Sequence, residues 1–483
     1  MIEDRNERIR RLSRAARPSL LEAACEPDLL AAMVLANLMS PSLWDFRDKI
    51  RRRTARAKEG PPDEHVRIAM REIHDYLDKH LFHVSPPDVE AMWGLLDLDE
   101  ERERLGAEQV DYAMDVIRSC MEARRERGIL TEKQNIFALM DAGRFPDYEY
   151  STLDLIRAHR RHLKRKKHKP IGVTSCADEA VLSASLAWAE GHISLSSLII
   201  FGSPHHYGAL VNHRGHVYWF NGKREYFDAE AWSGICNPGD PAGVQDAFEA
   251  TAQGFDRIIT PFGVHKFYAN ESTLDPKRLG QTHETLVRFF GSELKQMADA
   301  RKQDIRFLPN PMENISLEAL DQAGDAASAR TILKGLAHTH PGTTLELARY
   351  AFRDLWVEHP QAYLEAATRG HLTRQRAAGI TSVEEGLDVV RGIAGEDSIF
   401  DDPDRIAMPD EALLFGTGTH RDKALLLYTL LLHAPFPGAD KKERMRLVFT
   451  ERDAYVGYGD TWIGATALLD RPDIGEPELL RLP

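Results

Sequence analysis

Near residue 170 the sequence changes its hydrophobic period from that of a helix to that of a strand, and this switch limits the fold more than any other feature. Upstream, Leu20, Leu21, Ala24, Leu29, Leu30, Met33, Val34 and Leu38 recur mostly at spacings of three and four, one face of a 3.6-residue helix. Similar patterns follow in Val66–Leu81, Val89–Leu98 and Val110–Met121, punctuated by Pro61-Pro62 and Pro86-Pro87, and another helix is expected over 151–165. Downstream comes Gly172-Val-Thr-Ser-Cys-Ala-Asp-Glu-Ala180, then an Ala/Leu-rich helix ending at Gly191, a good residue to follow a helix. After it the period is two. Leu198–Phe201, His206–Val211 and His216–Phe220 read as three strands, with Asn212–Gly215 as a four-residue turn between the last two.

A chain of 483 residues is too long for one ordinary core. The texture divides it into a helical N-terminal region (1–165), a helix-and-strand core (166–270), a mostly helical region (271–404) and a C-terminal segment (405–483) that repeats the core's order. The expected class is α+β.

Charge and cysteine content narrow the function. Sixty-two Lys and Arg against 75 Asp and Glu leave a formal charge of −13, which makes nucleic acid an unlikely general partner. Cys25, Cys120, Cys176 and Cys236 show no CxxC pairing, which fits a reducing compartment rather than a disulfide framework. The first residues carry Glu3, Asp4, Arg5, Glu7, Arg8, Arg10 and Arg11, too many charges for a secretory leader, and no apolar run is long enough to span a membrane. A cytoplasmic protein with no membrane partner is the expectation.

Chemistry concentrates at the period switch. A nucleophilic cysteine needs its thiolate stabilised, a base to hold the proton and a third group to orient that base. Ser175 with Asp178 reads as a capping box, which puts Cys176 in the first helical turn, where free N–H groups lower a thiol's pKa and can stabilise an oxyanion. His206 begins the second strand, 30 residues on (206 − 176), and Asn221 follows the third strand, another 15 on (221 − 206). A hairpin can bring its open ends together, so Asn221 is the candidate to orient His206. His205 is the reserve base and Asp228 the reserve third member.

In these residues the chain resembles the transglutaminase-like branch of the papain-like cysteine enzymes. Ser175-Cys176-x-x-x-Ala180 is similar to that family's nucleophile motif, His206 with Val211 to its base strand, and Asn221 stands where an Asp is more usual. Thr174 and Gly208 replace a Gly and an aromatic residue of the family pattern. The resemblance spans about 170–230 and implies acyl transfer or hydrolysis through a Cys176 thioester, on a peptide, protein or small acyl substrate, with no cofactor. The competing expectation is a catalytically inactive binding or scaffold protein. A redox role for Cys176 would need a resolving thiol, for which Cys236 is nearest in sequence.

The C-terminal segment can be laid on the first. Thr419-His-Arg-Asp-Lys-Ala424 parallels Ser175-Cys-Ala-Asp-Glu-Ala180, with His420 in the nucleophile's place. A Leu-rich helix, the strand Arg446–Phe449 and then Asp453–Tyr458 follow in the same order, with Asp453 in the place of His206 at a spacing of 33 (453 − 420). This copy lacks both thiol and base and is expected to be degenerate. Gly416-Thr-Gly-Thr419 lacks the spacing of a phosphate loop. Lys164-Arg-Lys-Lys167 offers a place for an acidic or phosphorylated ligand, though such a run is more often solvated. Arg51-Arg-Arg53 reads as an exposed helix face, and neither His338 with His340 nor His205 with His206 has a companion ligand at metal spacing, so no metal is expected.

Overall fold

The computed structural model describes residues 27–55, 62–83, 98–111, 114, 172–174, 176–203, 206–213, 216–220, 226–227, 257–260, 263–266, 315–394 and, with short breaks, 398–464, together with 468–469 and 480–482. Its class is α+β: helices surround two separate antiparallel sheets.

The N-terminal region supplies α1 (Pro27–Leu38), α2 (Pro41–Thr54), α3 (Pro62–His80) and α4 (Leu98–Leu105). Proline at the first helical position starts α2 without losing a bond, because that N–H has no intrahelical acceptor. The expected face of α1 is in fact all faces: every residue from Leu30 to Met39 is buried. Its neighbours explain this, since α1 touches α2, the helix that opens with Cys176 and several later elements. A helix apolar all round belongs in the middle of a protein.

A short strand β1 (Leu81–His83) pairs in parallel with β2 (Gly172–Thr174), which ties the N-terminal helices to the segment leading into Cys176. Helix α5 (Cys176–Ala189) follows, then β3 (Leu198–Ser203), β4 (His206–His213), β5 (His216–Phe220), β6 (Tyr226–Phe227), β7 (Arg257–Thr260) and β8 (Gly263–Lys266). They form one sheet in the order β6-β5-β4-β3-β7-β8. The expected four-residue turn is shorter, because the strands extend until His213 pairs with His216.

A helical stretch follows: α6 (Glu318–Asp321), α7 (Ala326–Thr339), α8 (Thr344–Ala351), α9 (Pro360–Ala367), α10 (His371–Ala377), α11 (Val383–Arg391) and α12 (Pro409–Phe415). The chain ends in α13 (His420–His433) and strands β9 (Arg446–Phe449), β10 (Ala454–Tyr458), β11 (Thr461–Gly464), β12 (Leu468–Leu469) and β13 (Leu480–Leu482). Their order is β12-β11-β10-β9-β13. One apolar cluster runs through both helix-and-sheet units and the helices between them. Among the described residues, no helix is long and apolar enough to cross a membrane.

Candidate active site

Cys176 is the first residue of α5 and His206 the first residue of β4, as the residue pattern led us to expect. Asn221, His205, Asp228, Cys236 and Lys164–Lys167 lie outside the described residues. The acidic first turn of α5, Asp178 and Glu179, suits the positive end of a helix dipole. Both carboxylates are buried. Asp178 is two residues past Cys176 and so lies roughly 200° around the helix axis from it.

Small side chains let α5 sit deep in the molecule. From Ala180 to Glu190 every residue is buried. In mid-helix, Ser185 has a long-range partner: its Oγ donates to the Val181 carbonyl at 2.8 Å and accepts from Asn37 Nδ2 at 3.0 Å. The helix packs on β4 and β3 on one side and on α1, α2 and α3 on the other.

The C-terminal unit has the same build. Helix α13 has 14 residues, as α5 does, and packs on β10 and β9 as α5 packs on β4 and β3. In both sheets the first strand after the helix is flanked by the second strand and by a later-arriving one, β7 or β13. Thr429 Oγ1 donates to the Leu425 carbonyl at 2.8 Å, the same bond at the same helical position as Ser185 to Val181. Asp422 matches Asp178, and both are fully buried.

Here the capping box is explicit. Thr419 Oγ1 accepts from Asp422 N at 3.3 Å, while Asp422 Oδ2 accepts from Thr419 N at 2.8 Å. Asp422 Oδ1 also accepts from Ala407 N at 2.7 Å. Burial nevertheless pushes this carboxyl up to about 6, against the pull of those backbone donors.

The strand register extends the match to positions 176 and 206. Ser203 pairs with His206 across the β3–β4 turn. Across the β9–β10 turn, Phe449 pairs with Ala454, and one step outward Thr450 N donates to the Asp453 carbonyl at 2.9 Å. Asp453 therefore stands to β10 as His206 stands to β4, and His420 opens α13 as Cys176 opens α5. These two residues meet in space: His420 Nδ1 lies 3.9 Å from Asp453 Oδ1. Asp453 is further held by Ala454 N at 2.8 Å and by the Tyr455 hydroxyl at 3.3 Å. The arrangement offers an imidazole and a carboxylate, and no thiol.

One cluster escaped the sequence reading. His65 from α3 meets Glu190 and His192, just past the end of α5. The partners are 125 residues apart (190 − 65), so no spacing along the chain could have disclosed them. The only local hint was Gly191, which has φ +98 and turns the chain between the two ligand-type residues. His340, just past the end of α7, bonds to local groups: its Nδ1 contacts the Leu336 carbonyl at 3.1 Å and Thr339 Oγ1 at 2.8 Å.

Comparison of the chain with family models, with curated proteins and with solved structures returns no match.

Proposed function

We propose that the N-terminal unit is a cysteine acyltransferase or hydrolase of transglutaminase-like type, with Cys176 as nucleophile, His206 as base and Asn221 as the residue that orients His206. The single observation carrying this reading is the pairing of His420 with Asp453 at 3.9 Å, since these stand at the positions of Cys176 and His206 in a unit of the same build. The topology of the first unit favours the same meeting. Helix α5 runs about 20 Å, an eight-residue link returns to β3, and β3 runs back about 20 Å, so the β3–β4 turn falls at the end of the unit where α5 begins.

The chemistry follows from those roles. His206 takes the Cys176 proton, and the thiolate attacks the carbonyl carbon of an amide, ester or thioester. Backbone N–H groups in the first turn of α5 stabilise the oxyanion. The imidazolium then gives its proton to the departing amine, alcohol or thiol, leaving a Cys176 thioester. Water or an amine, deprotonated by His206, attacks this thioester and restores the thiol. Peptide, protein and small acyl groups all suit this sequence of steps. An acidic or phosphorylated substrate would be drawn by Lys164–Lys167. The second unit, with His420 and Asp453 at these positions, cannot form a thioester and serves packing or binding.

The test is alkylation of each cysteine by iodoacetamide against pH, read by mass spectrometry. Cys176 should react at mildly acidic pH, below the ordinary thiol pKa of about 8.5, and should slow in His206→Ala. If Cys176 reacts no faster than Cys25 or Cys120, the enzyme reading fails and a binding or scaffold role takes its place.

A further inference from the structure

We propose that His65, Glu190 and His192 form a binding site for a divalent transition-metal ion of the zinc class, joining α3 to the end of α5 far from Cys176. Two imidazoles and one carboxylate are a donor set that zinc uses when it keeps one position open. One ligand atom from each side chain lies within 4.8 Å of the others. His65 Nε2 is 3.2 Å from Glu190 Oε1, and the two imidazole rings stand 4.3 Å apart at 73°.

Three features make this a built site rather than a chance meeting. First, His65 Nε2 is shut off from water and has no hydrogen-bond partner, even with the carboxylate so near. A buried ring nitrogen in that state is costly, and an ion would satisfy it. Second, Glu190 is only 3% exposed, and its other oxygen is already taken, since Oε2 accepts from His192 N at 2.8 Å. That bond fixes the carboxylate with Oε1 toward His65. Third, Gly191 holds a left-handed φ of +98, which turns the chain so that residues 190 and 192 serve one point. A Cβ there would also come within 2.7 Å of Arg51 Nη2.

The geometry needs only modest closure. Ligand atoms around tetrahedral zinc are about 3.3 Å apart for bonds of about 2.0 Å. His192 is exposed, and its exposed side leaves the open position to water. Arg47 and Arg51 also act on Glu190, so the ion would share this carboxylate with them. Burial pushes the Glu190 carboxyl up to about 7, against the weaker pull of Arg51 and Arg47, so an ion would displace a proton as well as compete with their charge. The distance to the nucleophile is about 20 Å along α5, so this ion would staple two regions rather than take part in acyl transfer.

The experiment uses the full chain, stripped by chelator and titrated with Zn²⁺ against a chromophoric competitor, then with Co²⁺ for its visible spectrum. One equivalent should bind, Co²⁺ should give the intense absorption of low coordination number, and Zn²⁺ should raise the Tm. His192→Ala, at an exposed position where folding is not at risk, should weaken Zn²⁺ binding at least tenfold, and His65→Ala should do the same. Wild-type protein that binds no Zn²⁺, or His192→Ala that binds as tightly as wild type, overturns the proposal. Alkylation of Cys176 is independent of this outcome, so the two readings stand or fall separately.

Discussion

The two helix-and-sheet units differ least where they are buried and most where α5 and α13 begin. They share a 14-residue helix, a buried Asp at its third position, a mid-helix hydroxyl bonded to the carbonyl four residues back, and the same order of five strands, with β8 extra in the first sheet. At the helix start, Cys176 faces His420 in the comparison, and at the second strand His206 faces Asp453. The lesson is that the architecture depends on the interior of the helix and the register of the strands. The two positions that would carry chemistry lie at the rim, where His420 and Asp453 are each nearly half exposed, and they change at little cost to the fold.

The strongest way to break this comparison is at those two positions. Cys176→Ala should abolish ester or amide turnover, a loss of at least a thousandfold, with Tm little changed. The converse graft, His420→Cys with Asp453→His, should create a second thiol that iodoacetamide labels at mildly acidic pH, about tenfold faster than Cys25. A graft that labels no faster would mean that the two rims are not equivalent.

Matched core truncations come next. Leu186 and Leu430 occupy the same helical position and are both fully buried. Leu430→Ala and Leu186→Ala should each cost about 3 kcal/mol by denaturant unfolding, since each removes a core side chain and leaves a cavity. A much smaller loss in one of them would show that its helix is not held by its interior face.

The pH dependence of the second unit is of similar size. The Asp422 carboxyl is raised by burial from 3.8 to about 6, so the folded state holds its proton more tightly than the unfolded chain does. Its contribution to stability is whole below pH 3.8 and is lost as pH rises through about 6. At 1.36 kcal/mol per unit, the loss is about 3 kcal/mol. Asp422→Asn should lower stability at acidic pH, because Ala407 N or Thr419 N loses its acceptor, and should flatten the slope between pH 4 and 6 relative to wild type. An unchanged slope would mean that the carboxylate is charged throughout.

The smallest effect separates the two hydroxyls. Thr429→Val removes one bond made within its own helix and should cost about 0.5–1 kcal/mol. Ser185→Ala also strands the buried Asn37 amide, whose Nδ2 donates to it, and should cost about 1–3 kcal/mol. Equal losses would remove the distinction between a helix closed on itself and one keyed to α1.

Much of this architecture was legible because its signals are local. The capping residues Thr419 and Asp422, the apolar run after them and the alternation in 206–220 each sit within a few residues of one another, and each gave the element found. The strands at 257–260 and 263–266 were not read, since four residues carry almost no periodicity. The full burial of α1 was also hidden, because a helix's surroundings are set by segments far along the chain. The same reason concealed His65 beside Glu190. As for the candidate triad, residue order could propose Cys176 and His206, whereas the register argument needed the second sheet.

The burial of α1 has a consequence for biosynthesis. Its partners include α5 and α8, and α8 begins 317 residues after α1 does (344 − 27). At about 5–20 residues per second, a ribosome takes roughly 15–60 s to supply that last neighbour. Throughout that interval the part of this largely apolar helix that α8 covers stays open, even after α2 and α5 have been made. The core around α1 therefore cannot close until translation is well past the middle of the chain.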